Sequence, residues 1–133
     1  MKRILPLFWI LLVFSLVLPG LAQSKRKLAV VELKVLKMDK TSTANPEESL
    51  YELTIQFTNR GEDVVQFNNN QVALVDENGK RHVVTRLRNR EVLQLAPGQS
   101  QTADRMYYQL PNQSKPASVQ LILGRHVAGE AKL

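Results

Sequence analysis

The stretch Tyr51-Glu52-Leu53-Thr54-Ile55-Gln56-Phe57-Thr58 sets an apolar side chain at every second position and a polar one between. Successive side chains of an extended chain point to opposite faces. This spacing therefore gives a strand with one apolar and one wet side, and it does not fit an amphipathic helix. The same period recurs in Val31, Leu33 and Val35, set between Glu32 and Lys34, and again in Val119, Leu121 and Leu123. Shorter runs of strand-forming residues lie at 64–67, 72–76, 80–85, 92–95 and 102–110. From Leu28 onward no window of a dozen residues shows a helical stripe of apolar side chains. The chain is expected to be all-β.

Turn-forming residues separate these runs: Asn59-Arg60-Gly61-Glu62, Asn68-Asn69-Asn70, and Pro97-Gly98. Residues 39–49, with Thr, Ser and Asn around Pro46, read as a longer loop, and residues 124–133 as a polar C-terminal tail. Seven or eight short strands divided in this way predict an immunoglobulin-like antiparallel sandwich of two sheets, in one domain.

The oxygen-rich Asp76-Glu77-Asn78-Gly79 has two readings, a cation loop or a turn. A calcium loop spaces its ligands regularly and closes on a distant bidentate carboxylate, whereas here Lys80 and Arg81 follow. Asn-Gly is favoured in two-residue hairpins because both positions take positive φ. With Asn78 and Gly79 as the loop, Glu77 faces Lys80, Asp76 faces Arg81 and Leu74 faces Val83, so opposite charges meet twice across the strands. The turn is expected, with Pro97 and Gly98 forming a second one.

The N-terminus points to a compartment. Lys2 and Arg3 precede an apolar run at 4–18, and Gly20 and Ala22 supply small residues at the −3 and −1 positions. This is the pattern of a secretory leader, residues 1–22, cut after Ala22. The run falls short of the roughly 20 residues that a membrane-spanning helix uses. Of the 133 residues, 111 remain after a 22-residue leader, a length usual for one domain. The leader holds two of the 18 basic residues, which leaves 16 against 12 acidic and a net charge of +4.

There is no cysteine, so disulfides, thiolate metal sites and cysteine nucleophiles are all excluded. With a leader, this suggests a bacterial secreted or periplasmic protein. Lys25, Arg26 and Lys27 form a basic arm at 23–27. Basic flanks generally stay on the cytoplasmic side, so these charges argue against efficient export. If the leader is retained, the arm lies beside the membrane and the chain is membrane-anchored.

Four turn elements occur in a telling order: Thr58-Asn59-Arg60-Gly61, Leu74-Val75-Asp76 with Gly79, Leu95-Ala96-Pro97-Gly98, and Tyr108-Gln109-Leu110-Pro111. Over residues 51–123 the chain thereby resembles secreted bacterial immunoglobulin-like domains of unknown function, many of which follow lipoprotein signals. The resemblance implies a β-sandwich outside the cytoplasm and supplies no catalytic residue. The lipid-bearing cysteine of such lipoproteins is absent here.

Chemistry-bearing motifs are not evident. His82 and His126 lack metal-ligand spacing, and no Gly-x-Ser-x-Gly elbow, His-Glu-x-x-His helix or phosphate-cradling glycine loop occurs. No enzyme activity, metal or cofactor is expected. Asp104 beside Arg105 suggests an ion pair.

The most distinctive polar feature is Thr85-Arg86-Leu87-Arg88-Asn89-Arg90-Glu91. In an extended chain Arg86, Arg88 and Arg90 point the same way, and Arg81 adds to the strip. Guanidinium groups suit carboxylate or phosphate, so the strip reads either as a docking site for an anionic envelope polymer or an acidic protein, or as a solvated strand face or loop kept soluble by charge, with Glu91 partly neutralising it. Nucleic acid is not expected, because the chain has neither a reader helix nor clustered stacking aromatics. Tyr107 has the parity opposite to Met106, Tyr108 and Leu110, which makes it an exposed candidate contact. The alternative class is a structural component of the envelope that associates through a sheet edge. The sequence assigns no oligomeric state.

Overall fold

The alternating segment around Ile55 forms the centre of a sheet. In the computed structural model, which describes residues 28–85 and 92–133, the strands are β1 (Val31–Ser42), β2 (Glu48–Asn59), β3 (Val65–Asn68), β4 (Val72–Asp76), β5 (Arg81–His82), β6 (Val92–Leu95), β7 (Ser100–Pro111), β8 (Pro116–Leu123) and β9 (His126–Lys132). The leader and the basic arm lie outside the described residues. Among the described residues there are nine strands rather than seven or eight, and no helix is long and apolar enough to cross a membrane.

All pairings are antiparallel. One sheet runs β1-β2-β7 and the other β5-β4-β8-β9, while β3 and β6 form a two-stranded ribbon. First, second and seventh strands in one layer, with fourth, eighth and ninth in the other, is the order of an immunoglobulin-like sandwich.

The inner faces follow the expected parity. Leu53, Ile55 and Phe57 of β2 meet Met106, Tyr108 and Leu110 of β7 and Val72, Leu74, Val119 and Leu121 of the opposing sheet. The ribbon contributes Val65, Phe67, Leu93 and Leu95, and the Phe67 ring stands edge-on to Phe57 at 4.9 Å. With no disulfide to join the sheets, a hydrogen bond spans the core: the buried Tyr108 hydroxyl donates to the Val72 carbonyl at 2.9 Å. Burial without a charged neighbour pushes the Tyr108 phenol far above its ordinary pKa of 10.0, so it stays a donor.

Two bulges bend the three-stranded sheet at one place. On β1, Leu36 is the extra residue between the pairs Val35–Ile55 and Lys37–Thr54. On β7, Asp104 and Arg105 together oppose Thr54, with Arg105 at φ 53°. Asp104 and Arg105 do not form the expected ion pair.

Three expectations need correction. The loop expected at 39–49 shrinks to 43–47, because β1 continues to Ser42. The run at 80–85 keeps only Arg81 and His82 as a strand: the chain then leaves β4, and the Thr85 N–H bonds to the Tyr107 carbonyl at 2.9 Å.

The polar tail after Leu123 is the edge strand β9. It carries Ala128, Gly129 and Ala131 where larger apolar residues would have signalled a strand, because β1 crosses close by. A Cβ on Gly129 would stand 1.9 Å from the Val31 carbonyl oxygen.

Candidate functional surface

The hairpin between β4 and β5 has a register one residue away from the expected one. Leu74 pairs with His82 and Val75 with Arg81, so Asp76 stands opposite Lys80 and the loop is Glu77-Asn78-Gly79. Gly79 alone takes positive φ, at 81°, as in a type I turn closed by a glycine bulge.

The Asp76 side chain decides this geometry. Its Oδ1 accepts the N–H groups of Asn78 (2.8 Å) and Lys80 (3.0 Å), and its Oδ2 lies 2.9 Å from His82 Nε2. The bond to His82, helped by the two backbone donors, holds the Asp76 pKa below its ordinary 3.8, against the opposing effect of burial. The expected Asp76–Arg81 and Glu77–Lys80 pairs do not form. The buried carboxylate is occupied inward, and the shifted register turns Arg81 to the outer face.

That outer face has a defined layout. Arg81 pairs with Val75, Val75 with Ser118, and Ser118 with Lys132, which makes one row across all four strands, roughly 14 Å long at ordinary strand spacing. Both terminal side chains are exposed. Lys80 stands at the turn, and Lys115 is brought there because its carbonyl accepts the Glu77 N–H at 2.9 Å.

The next row carries Ala73, Gln120 and Glu130. Arg81 Nε donates to Gln120 Oε1 at 3.2 Å, and the Gln120 amide donates to Glu130 at 2.5 Å. These long side chains lie over Ala73 and Val75, which explains why two outward residues of β4 are buried. Lys80, Arg81, Lys115 and Lys132 outnumber the exposed Glu77 and Glu130 at this end, and none of the four cations is ion-paired among the described residues.

Arg86, Arg88 and Arg90 lie outside the described residues. Tyr107 is half-buried rather than exposed. It pairs with Glu52 on the outer face of the three-stranded sheet, so Tyr107 and Arg81 look out from opposite sides of the sandwich and form no joint site. Lys115 and Lys132 are not found from the sequence, because a loop hydrogen bond brings Lys115 to the turn and strand register alone puts Lys132 in the row of Arg81.

The Pro97-Gly98 turn has Gly98 at φ 79°, and its N–H bonds to the Asn59 carbonyl at 2.7 Å. Asn59 is fully buried. Its amide donates to the carbonyls of Asp63 (2.7 Å) and Leu95 (3.0 Å), and its Oδ1 accepts the Gly61 N–H (2.9 Å). Two of the turn elements noted in the sequence thus meet at one side chain.

His126 Nε2 contacts the Ala29 carbonyl at 3.1 Å. Among the described residues, no three His, Cys, Asp or Glu side chains come together as metal ligands. A shallow open hollow of about 190 Å³ lies at the ribbon, lined by Gln66, Phe67, Asn68, Gln71 and Val92 and without a titratable group.

No protein-family model and no curated protein matches the chain. A solved structure does: the 1.5 Å crystal structure of MPT63, a secreted protein from Mycobacterium tuberculosis, superposes with a TM-score of 0.55. The match covers 79% of this chain and 84% of that one, at 15% sequence identity. The likeness is one of fold. It supports a β-sandwich and does not reach the particular family that the turn motifs resemble.

Proposed function

We propose that this chain is an extracytoplasmic, non-enzymatic binding or accessory module that docks an anionic envelope polymer or an acidic protein on the basic end of its four-stranded sheet. The observation that carries the reading is the row Arg81–Val75–Ser118–Lys132, flanked by Lys80 and Lys115, with its cations unpaired by carboxylates among the described residues. Exposed cations spaced along one sheet face suit a long anion that touches several of them at once. Placement outside the cytoplasm is supported by the leader pattern at 1–22 and by a fold shared with a secreted protein.

The test is retention of the exported protein on immobilised polyphosphate and on immobilised polyglutamate across a salt series. Retention should weaken as salt shortens the Debye length toward about 3 Å at 1 M. The Arg81→Gln/Lys132→Gln variant should elute at lower salt while still unfolding cooperatively, with only a small drop in melting temperature from the lost cover over Val75. Elution of that variant together with the wild type on both matrices would remove the row from the binding surface.

A further inference from the structure

The long edge strand β1 has an uncovered half. β9 closes on its beginning, where Gly129 lies against Val31 and Leu33. From Leu36 to Ser42 every residue is exposed, and within the three-stranded sheet β1 is paired only to β2. Of the nine exposed large apolar side chains among the described residues, four (Leu28, Val30, Leu36 and Met38) fall in or just before this strand. Met38 pairs with the fully buried Leu53, so it stands on the core side of the sheet and is still 42% exposed. On the outer side, Lys37 Nζ reaches Asp39 Oδ2 at 3.3 Å, with both side chains well exposed. Open strand edges are ready templates for pairing, and the charges they carry decide which pairings are permitted.

We propose that the Leu36–Ser42 edge of β1 pairs with the same edge of a second copy of this chain, antiparallel and centred on Met38. In that register Lys37 of each copy faces Asp39 of the other, so two in-strand ion pairs become a square of alternating charge. On the core side Met38 meets its own counterpart, and at the bulge Leu36 comes opposite Lys40 of the other copy. The Lys40 ammonium lies 5.9 Å from the ring of Tyr51, its partner on β2, so this charge already has a contact within its own copy.

Competing registers are rejected by the same side chains. Centring on Lys37 sets lysine on lysine, centring on Asp39 sets carboxylate on carboxylate, and parallel in-register pairing does both. The bulge at Leu36 ends the pairing on one side. The product is a six-stranded sheet, β7-β2-β1 continued by its two-fold mate, which leaves the basic end of the other sheet free on each copy.

The absence of cysteine makes single-cysteine reporters clean. Directly opposed residues of antiparallel strands have Cα atoms about 4.5–5.5 Å apart, within disulfide reach. On mild oxidation of the exported protein, Met38→Cys should link to itself. Leu36→Cys or Lys40→Cys alone should not, whereas a mixture of those two should form the heterodimer. In sedimentation velocity, Lys37→Asp or Asp39→Lys should weaken self-association about tenfold, and the double reversal should restore it. Melting temperatures confirm that each variant is folded. A wild type that stays monomeric across the concentration series, or a Leu36→Cys that self-links faster than Met38→Cys, overturns the proposal; so does a double reversal as weak as the singles.

Discussion

At the scale of residues, two buried polar side chains set the geometry on which the surface depends. Asp76 is an acceptor for three donors around the β4–β5 turn. Because its folded pKa lies below 3.8, the native state takes up a proton less readily than the unfolded chain does. Its stabilisation is therefore complete above pH 3.8 and is lost as the pH falls through the lower folded value. Melting temperatures measured from about pH 2 to 6 should drop on the acid side for the wild type. Asp76→Asn should melt lower near neutrality and show a flatter acid limb. A variant profile parallel to the wild type would remove Asp76 from that role. Asn59 is the second such residue. Asn59→Ala leaves the Gly61 N–H and the carbonyls of Asp63 and Leu95 without their side-chain partner, which should cost about 2–4 kcal/mol in denaturant unfolding. A loss under about 0.5 kcal/mol would show that the two turns hold without it.

At the scale of elements, what could be read from the sequence depended on which faces are covered. β2 alternates because its inner face meets the core while its outer face meets solvent over most of its length, so Leu53, Ile55 and Phe57 announced it. β4 does not alternate in burial, since Arg81 and Gln120 roof its outward residues. β9 gave no signal because proximity to β1 selects small residues there over large apolar ones. Gly129→Ala should accordingly cost about 3 kcal/mol, for a methyl group there meets the Val31 backbone rather than a yielding side chain. An unchanged denaturation midpoint would mean that the two strands can part. The hairpin register was not legible from Asn78-Gly79 alone. Two-residue and three-residue loops both tolerate that pair, and the choice rests with hydrogen bonds to the Asp76 carboxylate.

At the scale of the whole molecule, the sandwich places its features on separate surfaces. The Tyr108–Val72 bond joins the layers at the centre, the ribbon of β3 and β6 supports one flank, and the outward faces carry different chemistry. Arg81 was legible as a basic residue beside a turn, but the company it keeps was not, because Lys115 and Lys132 reach it only through the pairings of β4, β8 and β9. Tyr107 was assigned the correct outward parity, yet on the sheet facing away. This separation makes the docking claim sharp, since a ligand on the basic end cannot also lie on the Tyr107 face. The most direct measurement is amide chemical-shift mapping of the protein titrated with soluble polyphosphate. The largest shifts are expected at Lys80, Arg81, Lys115, Ser118 and Lys132, diminishing with added salt. Shifts centred on Glu52 and Tyr107, or none at the Arg81–Lys132 row at saturation, would contradict it.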